Sequence, residues 1–507
     1  MQRSDMPPIH PTLHALQQRT LPKRSLHLIR LTAWLLVPIT VVLAWAPLSP
    51  YLLIIRTWVL PMALGLCLLG GIGAWCLLRR WLLADASAIA PAKQWRRMVS
   101  MLEWALLLFC FTGCAIAASW QVWGFAQAKR SVLEHASESP NLNTLGRHFI
   151  ISYRDFKEAA VLAERGAIAG IYLRSANVRD KSAFEIRSEI MALQRLRHRN
   201  GLPELIIAAD QEGGAVEHMS PPLQSRPSLA ELLIDLPTSL EDEMAGPTGA
   251  HKAAADALLA VYNYGHEQGR ELRGLGVNLN LGPIADLSPS ADTKVGFDTH
   301  TLLSKRALSA SPYVVAQATS AYIDGLNSSG IQATLKHFPG LARVTTDTHH
   351  FTARLDTPSD WLQQSDWLPF QHSMPQAAAT MLGHVIVQDL DPNAPASLSP
   401  KVVAMLRQDW GYQGLLMTDD INMGALYHRY GICESTVRAL NAGVDLVLIS
   451  YDSDQYYPAM DCALTAMARG ELQLSQSPQT HARIARFFRP TAMATAEQEK
   501  TLLHAQL

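Results

Sequence analysis

The run Leu205-Ile206-Ile207-Ala208-Ala209, followed at once by Asp210-Gln211-Glu212, decides how the larger part of this chain is read. It is a short apolar stretch that ends abruptly on ionisable side chains, and its length suits a strand better than a helix. The pattern recurs. Further candidate strands occupy 148–152, 170–173, 277–281, 332–335, 380–385, 415–417 and 446–449. Between them lie amphipathic, helix-like stretches at 156–165, 183–197, 253–275, 312–327, 399–409 and 435–441. Eight strands interleaved with helices over about 350 residues predict an α/β architecture, a (β/α)8 barrel of the TIM type rather than an open sheet.

The strand ends carry the chemistry. Asp210-Gln211-Glu212 follows the third strand, Lys336-His337 the fifth and Asp419-Asp420 the seventh, while His384 belongs to the sixth. Barrel sites are built from the carboxyl ends of strands and the loops after them. Alone, a strand-end Asp can equally cap the next helix. Four such ends converging on one face point to a site.

The amino-terminal part is of another kind. The whole chain of 507 residues has a formal net charge of -1 and only 17% charged residues, against about 25% in a typical soluble protein. A nucleic-acid-binding surface spread over the molecule is thereby excluded, and so is a disordered chain. The near-neutrality hides a division: residues 1–130 hold 13 Lys/Arg and 3 Asp/Glu, leaving 30 basic and 41 acidic residues in 131–507. Nine of the 12 Trp also fall in the first part, as in an interfacial aromatic belt. Stretches 31–55, 57–78 and 104–128 contain no Asp, Glu, Lys or Arg, and each reaches the roughly 20 residues needed to cross a bilayer as a helix. Pro47 and Pro50 break the first, which places the spans at about 31–48, 57–78 and 104–128. The expected order is therefore a cytoplasmic segment 1–30, a membrane region 31–128 ahead of the barrel, a polar linker 129–144, the barrel domain 145–490 and a tail 491–507.

Ten basic residues (Arg3, Arg19, Lys23, Arg24, Arg30, Arg79, Arg80, Lys93, Arg96, Arg97) flank the spans on one side, and three (Arg56, Lys129, Arg130) on the other. Because Lys and Arg near spans remain cytoplasmic, the amino terminus is expected inside and the barrel outside the cytoplasm, facing the periplasm or the cell exterior. Glu103 at the edge of the third span is read as interfacial. Cys433 and Cys462 could form one disulfide, and no cysteine pattern has a zinc spacing.

Lys336-His337-Phe338-Pro339-Gly340, followed by Asp347-Thr348-His349, resembles the family 3 glycoside hydrolases, specifically the single-domain β-N-acetylglucosaminidases. Further pieces match in order: Asp210-Gln211-Glu212-Gly213-Gly214, Asn280-Leu281-Gly282-Pro283 with Asp286, Gly383-His384-Val385, Pro395-Ala396-Ser397-Leu398-Ser399, and Thr418-Asp419-Asp420-Ile421-Asn422-Met423. The resemblance covers about residues 145–455. It implies a retaining double displacement on a terminal N-acetyl-β-hexosaminide, with a cell-wall-derived amino sugar or related β-glycoside as substrate and neither cofactor nor metal. By resemblance Asp419 is the nucleophile, His349 the acid/base, Asp347 the carboxylate that orients His349, and Asp210, Lys336 and His337 hold the sugar. Each role has physical sense. A carboxylate can form a glycosyl ester, and an imidazole beside a carboxylate can give and take a proton near neutrality. Asp210 and Lys336 could instead form a purely structural buried pair. His384 is read equally as a satisfied core histidine or a catalytic one, and Gly213-Gly214 as a tight turn.

The sequence departs from the family at Ala215, His218 and Asp298, where arginines are usual, and at Leu341-Ala342, where His-Gly is usual. No other side chain reproduces the guanidinium fork of donors. Two other readings therefore accompany the first: a sugar-binding or sensing membrane protein with an altered site, and a family 3 β-glucosidase or phosphorylase of different specificity.

Overall fold

The structure, a computed structural model, describes residues 23–45, 49–50, 53, 55–83, 91–134, 140–233, 249–289, 300–474 and 477–488. Asp298, the tail 491–507 and most of the segment 1–30 lie outside these. Two compact units form, Met1–Gln127 and Ala128–Leu507.

In the first unit, three helices occupy the expected apolar stretches: α1 (Lys23–Trp45), α2 (Arg56–Leu83) and α3 (Pro91–Glu134). Within them 19, 24 and 41 residues are long and apolar enough to cross a membrane. The Phe111 ring of α3 packs directly over Gly70 of α2, where a Cβ would stand 2.5 Å from it, so a larger residue there would force the ring to shift. Glu103 is a clasp between helices, pairing with Arg30 and accepting from Trp34 Nε1 at 2.7 Å.

The second unit is a closed parallel barrel of eight strands: β1 (Phe149–Ile151), β2 (Gly170–Leu173), β3 (Ile206–Ala209), β4 (Leu279–Asn280), β5 (Gln332–Phe338), β6 (Ala379–Leu382), β7 (Leu415–Asp420) and β8 (Leu446–Ile449). Each pairs with the next, and β8 closes on β1 through Phe149 opposite Val447. All eight fall where the apolar runs put them. Strands in such a barrel are covered on both faces, which is why they read as continuous rather than alternating hydrophobic runs. Ile206, Leu279, Ala379, Leu415 and Leu446 pack into one interior cluster, each large aliphatic side chain contributing about 1.5–3 kcal/mol on burial.

The helices outside the barrel begin and end on local signals. Asp155 caps α4 (Phe156–Glu164) by accepting from the Lys157 amide, and Ser182 forms a capping box with Glu185 at the start of α5 (Ala183–Arg199). Next come α6 (Gly249–Leu275) and α7 (Pro312–Ser328), which has Pro312 in its first turn. The stretch 399–409 is a short α8 (Pro400–Ala404) running into a π-turn, Met405–Asp409. Gly443, at φ 91°, ends α9 (Gly431–Ala442), and α10 (Tyr456–Ala468) and α11 (Ser477–Phe487) complete the order. Cys433 and Cys462 are bonded and join α9 to α10.

Four boundaries differ from expectation. Strands β5 and β7 run on through Lys336-His337 and Asp419-Asp420, with the register shifting between Leu335 and Phe338 and between Met417 and Asp420. Strand β6 stops at Leu382, so His384 lies outside it, ahead of a separate parallel pair, Val385–Val387 with Ala353–Leu355. The expected polar linker 129–144 is helical over 129–134, as the end of α3, and again from Pro140. There Val132 is buried and Lys129 pairs with Glu158, so this part of the segment is packed rather than free.

Candidate active site

The carboxyl ends of β3, β5 and β7 bring the expected residues together. Asp210, just past β3, is bound on both oxygens: Oδ1 lies 2.5 Å from Lys336 Nζ, and Oδ2 accepts from Tyr172 Oη at 2.9 Å. The same Lys336 Nζ lies 2.5 Å from Glu212 Oε1. Arg306, on the short helix Leu303–Arg306, forks Glu212 with Nε at 2.9 Å and Nη2 at 2.6 Å. Two carboxylates thus balance two buried cations. Burial alone would push the Lys336 ammonium down, yet Asp210 and Glu212 hold it above its ordinary value. Burial likewise disfavours the Glu212 carboxylate, but Arg306 and Lys336 hold it well below the usual range. Glu212 and Arg306 carry as much of the arrangement as Asp210; the sequence shows Glu212 only as part of the strand-end run, and nothing in it marks Arg306.

His337 is tied from below. Asp286 Oδ2 accepts from the His337 amide at 3.1 Å and lies 2.7 Å from its Nδ1, while Oδ1 accepts from the Leu341 amide. Asp286 is fully buried, so this one carboxylate fixes both the ring and the start of the following loop.

The adjacent aspartates of β7 diverge. Asp420 is buried and saturated: Oδ1 accepts from the amide and side chain of Asn422, and Oδ2 from Ser450 Oγ and the Tyr451 amide, both at 2.6 Å. Its carboxyl is raised by burial and by Asp419, against the pull of those hydrogen bonds. Asp419 is only half-buried and accepts from the Asp420 amide at 2.7 Å. Burial pushes its carboxyl up, but the imidazoles of His337, His384 and His349, with that amide, more than offset this and keep it ionised. An ionised carboxylate with open lone pairs, facing away from a saturated twin, is what attack on a sugar carbon requires.

The histidine loop supplies the opposite partner. His349 Nδ1 and its own amide both lie 2.9 Å from Asp347 Oδ1, and Thr301 Oγ1 donates to the same oxygen at 2.9 Å. Burial raises the Asp347 carboxyl, but these bonds outweigh it and leave it far below the usual range. The His349 carbonyl accepts from the Gly424 amide at 2.7 Å, stitching this loop to the chain just after β7. Arg306 Nη1 donates to the Thr301 carbonyl at 2.7 Å, which links the Glu212 cluster to the same loop.

His384 has both ring nitrogens engaged, with Ser397 Oγ at 2.8 Å and the Asp420 carbonyl at 2.9 Å, and burial lowers its proton affinity. It is a satisfied core histidine that supports the Asp420 backbone. Gly213 and Gly214 make a tight turn at φ 94° and 64°, and a Cβ on Gly213 would stand 2.2 Å from Tyr264 Oη. His218 lies against the Asp210 cluster, with Nδ1 2.7 Å from Tyr172 Oη, while Ala215 is exposed. A cleft of about 720 Å³, lined by Gln332, Trp410, Tyr412, Arg483 and Phe487, opens beside residues that precede or begin strands. That is the wrong end of a barrel for chemistry.

The sequence pattern of the glycosyl hydrolase family 3 N terminal domain matches residues 143–487. The chain belongs to this family. Family 3 membership makes it a glycoside hydrolase. A protein named beta-hexosaminidase LpqI, from Mycobacterium tuberculosis, is 27% identical over 349 residues, covering 67% of this chain and 81% of the relative. A beta-hexosaminidase from Stenotrophomonas maltophilia is 31% identical over 293 residues, covering 57% and 78%. Among solved structures, a family 3 glycosyl hydrolase from Mycobacterium smegmatis superposes with a TM-score of 0.58 at 28% identity, covering 70% of this chain and 99% of that one.

Proposed function

We propose that this family 3 hydrolase removes terminal β-linked N-acetylglucosamine, or a closely related β-sugar, from cell-wall-derived glycans by a retaining double displacement. The divergence of the two aspartates carries the reading: Asp420 is spent on the fold, and Asp419 is ionised and open beside the Asp347–His349 pair. Protonated His349 gives its proton to the glycosidic oxygen as Asp419 attacks the anomeric carbon. The C–O bond to the leaving group breaks, and a glycosyl ester forms on Asp419. Neutral His349 then takes a proton from water, whose oxygen displaces Asp419 and restores the β configuration. Asp210, Lys336 and His337 bind the sugar hydroxyls, and Asp210 and Lys336 do so as members of a charge-balanced cluster rather than as a lone pair. The β-hexosaminidase names of the relatives support the substrate class.

The long apolar helices α1, α2 and α3 anchor the enzyme in the membrane. Large side chains on them, such as Leu35, Leu69, Phe109 and Trp120, are exposed to their surroundings, as lipid-facing positions would be. The bias of basic residues puts the amino terminus in the cytoplasm and the barrel outside it. The Cys433–Cys462 bond supports that side, because disulfides persist in oxidising compartments.

The test is turnover of aryl β-N-acetylglucosaminide and β-glucoside by the full chain in detergent. Wild type is expected to prefer the N-acetyl substrate, to release the β-anomer first by NMR, and to lose activity in Asp419→Ala. No turnover of any aryl glycoside by folded protein would sink the reading. A preference for glucoside would keep the chemistry and change the substrate.

A further inference from the structure

Beside the proposed proton donor lies a second cluster that the hydrolytic reading does not use. His350, the neighbour of His349, lies with Nε2 3.1 Å from Nδ1 of His300, and their rings meet edge to face with centroids 4.8 Å apart. One carboxylate oxygen of Asp347 completes a group of three ligand atoms, all within 4.8 Å of one another. Two nitrogens bound to one tetrahedral ion at about 2.0–2.1 Å stand about 3.3 Å apart. The imidazole pair therefore already has the edge of such a site.

The carboxylate adds an independent observation. Asp347 Oδ1 is taken by His349 and Thr301, but Oδ2 is buried and has no hydrogen-bond partner among the described residues. Asp347 itself is only 4% exposed. A buried carboxylate oxygen left without a donor is costly. A cation held between the two imidazoles and the Asp347 carboxyl would place positive charge beside that carboxylate.

We propose that His300, His350 and Asp347 form a binding site for one divalent transition ion of the zinc class, and that filling it inhibits the enzyme. Two imidazoles and one carboxylate suit zinc and its neighbours rather than magnesium or calcium, which take oxygen ligands. The ion would bridge the loop after β5 to the segment that contains Thr301. Inhibition follows from position. The carboxylate that pairs with His349 at 2.9 Å becomes a metal ligand, so it no longer orients that ring toward the leaving group. The ion therefore hinders bond cleavage with poor leaving groups most. It spares substrates such as dinitrophenyl glycosides, whose departure needs no acid. This inhibitory arm rests on the proposed role of His349; the binding arm does not.

The full chain in detergent, stripped of metal with a chelator, is titrated with zinc chloride by calorimetry and assayed in parallel on aryl and alkyl β-N-acetylglucosaminides. Wild type is expected to hold one equivalent of zinc that His300→Gln and His350→Gln bind at least about ten-fold more weakly. The zinc concentration for half-inhibition should rise by the same factor in each variant, with metal-free turnover unchanged and magnesium without effect. Equal zinc affinity in wild type and both variants would overturn the site. Inhibition that is as strong for dinitrophenyl as for alkyl substrates would overturn its action on the proton donor. Should no protein turn over any glycoside, the function fails, and calorimetry still decides the metal site by itself.

Discussion

Asp419 and Asp420 are chemically identical and adjacent, yet their surroundings assign them opposite work. Removing the Asp420 carboxylate strands the Tyr451 amide, the Ser450 hydroxyl and the Asn422 donors. Asp420→Ala is therefore expected to lower unfolding free energy by on the order of 3 kcal/mol, measured by denaturant titration. Asp419→Asn is expected to leave stability within about 0.5 kcal/mol while abolishing turnover. His349→Ala should slow cleavage of poor leaving groups by about 10²–10⁴-fold and that of activated aryl glycosides far less. Asp347 adds a pH dependence. Its folded carboxyl is held well below the usual value by His349 and Thr301, against burial. It therefore contributes stability that is fully present above the unfolded value of about 3.9 and is lost as pH falls toward the folded one. Asp347→Asn should accordingly flatten the loss of wild-type stability between about pH 4 and pH 2, followed by thermal unfolding across that range.

At the scale of elements, the short helix Leu303–Arg306 does more than its length suggests. Arg306 reaches Glu212 with two nitrogens and the Thr301 carbonyl with a third. Arg306→Met would leave Glu212 buried with Lys336 as its one remaining cation partner in this cluster. A loss of about 3–5 kcal/mol is expected, with weaker substrate binding, visible together in unfolding curves and KM. This contact marks the limit of what the sequence reveals. Barrel strands are legible because burial on both faces leaves unbroken apolar runs such as 205–209 and 446–449. The continuation of β5 through Lys336 is not, since a charged residue inside a strand is tolerated only when a partner waits for it. Those partners, Asp210 and Glu212, lie more than a hundred residues earlier. The Arg306–Glu212 fork joins residues 94 apart with no pattern to announce it. Asp419, His349 and Asp347 are legible as motif residues, and the resemblance already sets Asp419 apart from Asp420; atomic geometry supplies the physical reason and places His384 in support.

For the molecule as a whole, the near-zero net charge is a cancellation between a basic helical part and an acidic barrel. Topology can be checked directly: a reporter active only outside the cytoplasm, fused after Gln127, should be active, and one active only in the cytoplasm should be silent. The bond between Cys433 and Cys462 closes a loop with a sequence separation of 29, for which about 3–4 kcal/mol is expected. Cys433→Ser should lose that amount, and dithiothreitol should bring wild type down to the same level.

The anchoring of Asp420 also sets when the enzyme comes into being. Ser450 and Tyr451, which hold that carboxylate, follow β8, and β8 takes its place by pairing with β1. A ribosome that has finished His349 and Asp419, the groups proposed to react, has not yet made the ring that aims them. Under that proposal cleavage must wait until the last strand is synthesised and paired with the first. A chain stalled or cut before Leu446 leaves behind an inert fragment rather than a loose hydrolase.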